Sequence, residues 1–406
     1  LYDRFSTRLA STHLAFTRPE EDMQRVLDLA ARIERNPREA NRLLNEFVGR
    51  WEFPLMDDGD NATFFYWDGQ PTDAVFLQHW VFGLPSRQEF RRIGNTDAFY
   101  LPLDLPRGAR VEYKFEVMRG PNGRWMHDPR NPRRAFDPFG SNSVCPAGSY
   151  EEPEWCRHDP GARQGTMQTH RFYSQSWGEE REYQLYVPAE ARPGKEYPLL
   201  IVHDGVDFLH YAQMRTLLDN LIHRHEVAPL LVCFTSGVRR NWEYAANSAQ
   251  ADFLKHDLLA HLAATQPVLE GPQFRGIMGA SFGGVSALHA AIRHPGTWGR
   301  LLLQSGSFAF TDIGEHTRGP MWDPIVSFVN NLRENPPPID AQVYLSCGTF
   351  ESLIYYNRSL VPVFQRVAQG VRFTEVPDGH NWINWRDRLR EALTWLFPGP
   401  LWMYYE

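Results

Sequence analysis

Ser281 stands in Gly279-Ala280-Ser281-Phe282-Gly283-Gly284, a G-x-S-x-G pattern. A short strand-like run, Phe274 to Met278, precedes it, and an Ala- and Leu-rich helical pattern, Val285 to Arg293, follows. A strand, this pentapeptide and a helix make a nucleophile elbow, whose tight turn lifts the serine hydroxyl above the sheet. Glycines flank the serine because a side chain there would strike the neighbouring strand or helix. The plainer alternative is a Gly-rich turn carrying a solvated serine.

A serine nucleophile needs a base, and the base needs an acid to orient it. On a strand-helix scaffold of the α/β-hydrolase kind the chain order is Ser, acid, His. His380, in Pro377-Asp378-Gly379-His380-Asn381-Trp382, follows the last strand pattern and precedes the last helix pattern. That loop belongs at the carboxyl end of the sheet, where Ser281 also points, so His380 is the expected general base. His289 and His294 fall on the helix after the elbow, and His316 lies in an irregular stretch. Glu351, in Cys347-Gly348-Thr349-Phe350-Glu351, follows the next-to-last strand and is the expected acid. Asp378 is the runner-up, although two residues from His380 it also suits a role in shaping the turn. Asp323 lies in an insertion. The bland readings are a polar loop histidine and a solvated carboxylate. An oxyanion hole needs two backbone N–H groups. Phe282 supplies one by position. The other is expected from Val206, in His203-Asp204-Gly205-Val206-Asp207, where Gly205 permits a sharp turn after a strand.

Elements must carry these residues. The chain has 406 residues, 42% hydrophobic and 22% charged, which suits two domains with sizeable cores. A helix pattern runs from Pro19 to Val48, broken at Pro37. Short alternating runs follow at Ala62–Trp67, Asp73–Phe82, Ala98–Leu103 and Arg110–Met118, separated by turn clusters such as Asp57-Asp58-Gly59-Asp60. They argue for a β-sandwich of immunoglobulin-like kind. A Pro- and Arg-rich excursion from Asp128 to Val144 closes it, and Glu151 to Gln164 reads as a linker. From there strands alternate with helices: Glu182–Val187, Leu199–His203, helix Tyr211–His223, Pro229–Phe234, helix Ala249–Ala264, then the elbow, Arg300–Gln304, Gln342–Cys347, helix Ile354–Gln369, Val371–Val376 and helix Trp382–Phe397. Such alternation implies a mainly parallel sheet covered on both faces. The expected division is 1–164, helices plus sandwich, and 165–406, an α/β-hydrolase catalytic domain.

Composition excludes some functions. The net charge is −7, from 42 basic and 49 acidic residues, so no basic field marks a nucleic-acid binder. No apolar run approaches the roughly 20 residues that span a bilayer. The four cysteines, Cys145, Cys156, Cys233 and Cys347, show no metal spacing, and no HExxH occurs, so neither a metal nor a cofactor is expected. Cys145 and Cys156 are the one candidate pair. The low cysteine count and the lack of a secretory pattern at Leu1 give a cytoplasmic expectation.

These motifs resemble the enterochelin (ferric enterobactin) esterases of the esterase D superfamily. The likeness rests on His203-Asp204-Gly205, the elbow with Ser286-Ala287-Leu288, Gln304-Ser305-Gly306-Ser307, and Asp378-Gly379-His380 with Trp385-Arg386. Arg240-Asn241-Trp242-Glu243 and the N-terminal Ala62-Thr63-Phe64-Phe65-Tyr66-Trp67 extend it over nearly the whole chain. The resemblance implies a serine esterase that opens the trilactone of enterobactin-type siderophores through a Ser281 acyl-enzyme, with iron as part of the substrate. It also implies help from cations near the pocket. Arg130, Arg133 and Arg134 of the excursion and Arg239 and Arg240 are the expected contacts, with Trp382 or Trp322 stacking on aromatic rings. Most arginines are solvated, and Arg240 has Glu243 at hand as an internal partner. Other readings remain open at this point: a feruloyl or acetyl carbohydrate esterase, an acyltransferase, and a non-catalytic ligand-binding protein on a hydrolase fold.

Overall fold

The computed structural model describes residues 21–56, 60–312 and 314–400. Its larger sheet is built from eight strands: Thr166–Ser174, Glu179–Val187, Leu199–Val202, Leu231–Thr235, Arg275–Ala280, Arg300–Gln304, Ile339–Gly348 and Ala368–Val376. Counted along the chain, they lie side by side in the order one, two, four, three, five, six, seven, eight. The first two strands pair antiparallel, as do the second and fourth, and every later pairing is parallel. This is a mixed α/β sheet, and its central strands are apolar without alternation because helices cover both faces.

Alternate residues of each strand feed opposite cores. Leu199, Ile201, Ile277, Leu301, Leu303, Val343 and Leu345 face a layer that contains the helix Phe282–Arg293. Leu200, Val202, Met278, Leu302 and Tyr344 face the helices Met214–His223 and Trp382–Leu396. The crossover helices thus bring the carboxyl ends of the six parallel strands to one edge, where ligands of open α/β sheets bind.

Before this sheet come helices Glu21–Arg35 and Ala40–Arg50 and two antiparallel sheets. Ala62, Phe64, Tyr66, Phe99 and Leu101 of one sheet share a core with Val75, Leu77, Tyr113, Phe115 and Val117 of the other. The Pro37 break in the helical pattern is a single 3-10 turn, Pro37–Glu39. Pro19, Glu20 and Asp57 to Gly59 lie outside the described residues.

Several expectations need correction. The excursion from Asp128 to Val144 is not irregular throughout. It contains the hairpin Arg134–Asp137 and Gly140–Pro146, which joins the second N-terminal sheet through Arg110–Arg119. The strand Thr166–Ser174 was hidden by its polarity, for it is an edge strand with few buried residues. The helical run from Tyr211 to His223 divides before Met214, where Gln213 takes a φ of 48°. The insertion around Asp323 holds a full helix, Asp323–Glu334. The stretch read as a linker is strapped down: Asn220 donates to the carbonyls of Trp155 and Arg157 at 2.9 and 2.7 Å, and Arg386 to the Glu152 carboxylate at 2.9 Å. Cys145 and Cys156 do not pair, and all four thiols are free and buried. Among the described residues no helix is long and apolar enough to cross a membrane.

Candidate active site

Ser281 sits between the fifth strand and the helix Phe282–Arg293 at φ 56° and ψ −122°. A non-glycine residue held there costs on the order of 1–3 kcal/mol and persists only where its surroundings fix it. They do so here: the Ser281 N–H donates to the Gln304 carbonyl at 2.9 Å, and the Ser281 carbonyl accepts from Ser307 and Gly284, each at 3.1 Å. A Cβ on Gly279 would lie 2.3 Å from the Gly283 carbonyl carbon, so the turn can close only around glycine. The Ser281 hydroxyl lies 3.1 Å from that of Ser307.

His380 and Glu351 come from the loops after the eighth and seventh strands. The His380 Nδ1 and Glu351 Oε2 are 2.6 Å apart. A carboxylate only accepts, so Nδ1 is the donor in this contact, which leaves Nε2 as the nitrogen that can exchange a proton with a nucleophile. The Glu351 side chain is 1% exposed, whereas that of His380 is 39% exposed. The buried carboxylate is well supplied with donors. Its Oε1 accepts from Ser305 Oγ at 2.6 Å, the Gly348 N–H at 2.7 Å and Asn384 Nδ2 at 3.4 Å. Trp385 donates its indole N–H to Ser305 Oγ at 2.9 Å and stands edge-on to the His380 ring, 5.0 Å away. Ser281, His380 and Glu351 all line one cleft.

Asp378 does not face His380. Its Oδ1 accepts from Gly379 N–H and Asn381 Nδ2, both at 2.7 Å, and lies 3.6 Å from Arg110 Nη1. Burial raises its pKa to about 6 against the pull of Arg110. It shapes the histidine loop. Asp323 pairs with His316 at 2.9 Å.

Phe282 is the first residue of the elbow helix, and Val206 lies in the first turn of the short helix Gly205–His210, so intrahelical bonding leaves both N–H groups without acceptors. The two turns abut, since a Cβ on Gly283 would lie 3.2 Å from His203 Cβ, and Gly205 packs against the neighbouring strand, where a Cβ would lie 2.5 Å from Phe234. The Val206 side chain itself points outward, 51% exposed.

The expected cation contacts divide. Arg240 lines the cleft, yet it pairs with Asp204 and not Glu243, through Nε at 2.6 Å and Nη2 at 2.7 Å. Glu243 is taken by Arg181 at 3.1 Å through both oxygens. Arg130 donates to the Trp67 carbonyl at 3.1 Å, and Arg134 to those of Asn131, Arg133 and Asp128, so neither guanidinium reaches the cleft. Next to them, unforeseen, the turn Phe136 to Phe139 does reach it. Trp382 forms part of the wall, buried against Phe208 and Trp385, and Trp322 stands opposite.

The cleft encloses about 1600 Å³, and the N-terminal sheets supply much of its rim. Trp80, Phe82 and Leu84 from one loop and Phe136 and Phe139 from another are each more than half exposed, Phe139 by 97%. Lys114, Arg239 and Arg318 also line it and form no ion pair among the described residues. Arg239 rests on Trp242 and Arg318 on Trp322, with the guanidinium carbon 4.9 and 5.0 Å from the ring centres. Asp252, His256 and His294 bring possible metal-ligand atoms within 4.8 Å of one another beyond the far end of the elbow helix. There the Asp252 carboxylate is already held by Arg293 through two bonds of 2.9 and 3.0 Å.

A family model described as Putative esterase matches residues 174–396, a span that takes in the elbow, the acid loop and the histidine loop. The chain belongs to that family. Within it, the chain is 25% identical over 206 residues to an iron(III) enterobactin esterase of Escherichia coli O6:H1, covering 49% of each chain. It is 24% identical over 229 residues to an iron(III) salmochelin esterase of the same organism, covering 53% of this chain and 54% of that one. The chain thus spans about half the length of the curated relatives it matches. In three dimensions it resembles the enterobactin esterase of Shigella flexneri, solved in the presence of 2,3-dihydroxy-N-benzoyl-glycine, with a TM-score of 0.68 at 20% identity over 86% of this chain and 97% of that one. The ferric enterobactin esterase of Salmonella typhimurium gives 0.68 at 18% identity, covering 84% and 95%. These likenesses extend the shared fold across the N-terminal sheets.

The sequence carried a signal for Ser305 and Ser307, in the Gln304-Ser305-Gly306-Ser307 run, without assigning either a role. Asn384 and Arg110 had no signal at all.

Proposed function

We propose that this family member is a serine esterase acting on enterobactin-type catecholate siderophores, opening the trilactone so that iron is held less tightly. The observation that carries the reading is the 2.6 Å His380–Glu351 contact in one cleft with a serine in elbow geometry. Ser281 Oγ attacks an ester carbonyl while His380 Nε2 takes its proton, and the buried Glu351 carboxylate stabilises the imidazolium. The N–H groups of Phe282 and Val206 receive the developing oxyanion. His380 returns the proton to the departing serine hydroxyl, leaving an acyl-enzyme. Water deprotonated by the same Nε2 then cleaves that ester and restores Ser281.

Three features of the cleft support this substrate class. Its volume exceeds the roughly 300–1000 Å³ usual for small-molecule sites. Its rim is aromatic, as aryl rings require. Lys114, Arg239 and Arg318 form no ion pair among the described residues and suit an anionic catecholate better than a neutral sugar. Residues 1–164 are read as a unit whose two sheets form an immunoglobulin-like β-sandwich walling the cleft, and 165–406 as the α/β-hydrolase unit. Ferric ion enters as part of the substrate. Action in the cytoplasm belongs to the same reading.

Turnover of apo and ferric enterobactin, methyl ferulate and p-nitrophenyl acetate, with Ser281→Ala as the blank, tests it. Ser281-dependent release of dihydroxybenzoyl-serine is expected. Ferulate cleavage with enterobactin untouched would move the chain to carbohydrate esters. Ligand binding with no Ser281-dependent turnover of any ester would make it a binding protein.

A further inference from the structure

Arg110 belongs to the N-terminal sheets, yet every polar bond it makes outside them lands on the histidine loop. Its side chain is 4% exposed, in the strand Arg110–Arg119. Nη1 donates to Asn381 Oδ1 at 3.1 Å and lies 3.6 Å from Asp378 Oδ1, while the Arg110 N–H donates to the Pro377 carbonyl at 3.2 Å. Three residues of the five from Pro377 to Asn381 are therefore tied to one arginine, and His380 lies between the tied ones. Nη2 is anchored on Glu112 Oε1 at 2.9 Å, whose other oxygen accepts from Asn142 at 3.0 Å. Asn142 lines the cleft on the strand that follows the Phe139 turn.

From the catalytic sheet the loop is held by the Phe350 N–H, which donates to the Asp378 carbonyl at 3.2 Å, by the His380–Glu351 contact at 2.6 Å, and by the start of the last helix. Asn381 Oδ1 also accepts the Asn384 N–H at 2.9 Å and so caps the last helix, while Asn384 Nδ2 donates to the Gly379 carbonyl at 2.8 Å. A second tie from the N-terminal sheets lands beside the acid, where the Phe82 N–H donates to the Phe350 carbonyl at 2.7 Å. The base loop and the acid loop are thus each fastened from outside the catalytic sheet.

We infer that Arg110 is a positioning residue, a two-pronged latch by which the N-terminal sheets fix His380 in register with Ser281 and Glu351. The inference rests on His380 being the base proposed above. A planar fork is what the site uses, since one prong holds Glu112 while the other reaches Asn381 and Asp378. Lysine preserves the charge but offers a single point, so it cannot span both sides. Plain loss of Arg110 would strand the Asp378 and Glu112 carboxylates and endanger folding. Arg110→Met combined with Asp378→Asn removes the charge from both ends of the Arg110–Asp378 pair, while Glu112 keeps its bond from Asn142 at 3.0 Å.

The test uses the full chain and p-nitrophenyl acetate, so that the outcome does not depend on the natural substrate. Arg110→Lys and Arg110→Met/Asp378→Asn are compared with the parent by thermal melting, by kcat and KM separately, and by the far-downfield proton signal of His380 Nδ1. Displacement of a catalytic group by about 1 Å costs on the order of 10²-fold. Expected is a fall in kcat of about 10- to 100-fold with KM within about twofold. The lysine variant should keep more activity than the double variant, and the downfield signal should broaden in both. A folded double variant with the parental kcat would overturn the inference. So would a loss of kcat that vanishes on cooling well below the melting point, which marks a purely structural role. Failure on enterobactin alone would overturn the substrate class and leave the latch standing. Turnover that survives Ser281→Ala would overturn the triad, and the inference with it.

Discussion

Ser305 is the hinge of the site at the scale of single residues. It bridges Trp385 and Glu351, bonding the first at 2.9 Å and the second at 2.6 Å, and it does so from a backbone φ of 46°. The Glu351 carboxylate is buried, and its charge is tolerable because donors surround it. Removing one donor should loosen the acid without abolishing it. Ser305→Ala is expected to lower kcat about tenfold, with little change in KM, in p-nitrophenyl acetate kinetics. Glu351→Gln should be far worse, since an amide also offers a donor and can select the wrong imidazole tautomer; about 10⁴-fold in kcat is expected. The contact of Glu351 with His380 could be expected from the sequence, because strand order fixes where the loop that carries Glu351 falls. The supports were not legible, since Ser305 and Asn384 lie 46 and 33 positions from Glu351. No local pattern encodes a contact that only the assembled sheet creates.

At the scale of elements, the apolar strands were readable and the polar ones were not. Leu199–Val202 and Leu231–Thr235 are buried throughout, so hydrophobicity alone announces them. Thr166–Ser174 pairs on one side only and exposes most of its side chains, so nothing in its composition separates it from a loop. The elbow helix holds a further consequence. His289, packed edge-on against Phe328 on that helix, has its pKa lowered to about 4, first by burial and then by Arg293 and His294, with Asp252 opposing. His203, wholly buried, is lowered to about 3 by burial and Arg240. In the unfolded chain both take up a proton near the ordinary 6.5. The unfolded state therefore binds more protons as pH falls below about 6.5. Stability is fully present above that value and is lost as pH descends toward 4 and then 3, at about 1.4 kcal/mol per pH unit for each histidine. Melting temperature should accordingly drop between pH 7 and pH 5. In His289→Leu the drop should be shallower, and an identical slope would remove His289 from the account.

On the proposed function, the whole molecule divides recognition from chemistry. The rim of the cleft comes from Trp80 to Leu84 and Phe136 to Phe139, whereas Ser281, Glu351 and His380 come from the carboxyl edge of the sheet. An exposed apolar group of this kind marks a binding surface more often than a packing defect. Phe82→Ala/Phe139→Ala should raise KM for a large aryl ester several-fold more than KM for p-nitrophenyl acetate. Equal effects on both would place the two rings outside recognition. A change of period after the first third of the chain led the sequence to suggest two parts. It did not disclose that the halves share a site, because that depends on which loops the two cores bring face to face.

That sharing sets how the molecule can change over time. The loops that form the rim are surface segments with turn chemistry at their tips, where insertions and substitutions are tolerated. They touch the reacting groups only through a few fixed bonds, among them Phe82 to Phe350 and Arg110 to the loop ahead of Asn381. A lineage that kept those bonds could exchange the tips repeatedly and so acquire new esters, with its hydrolytic apparatus inherited intact.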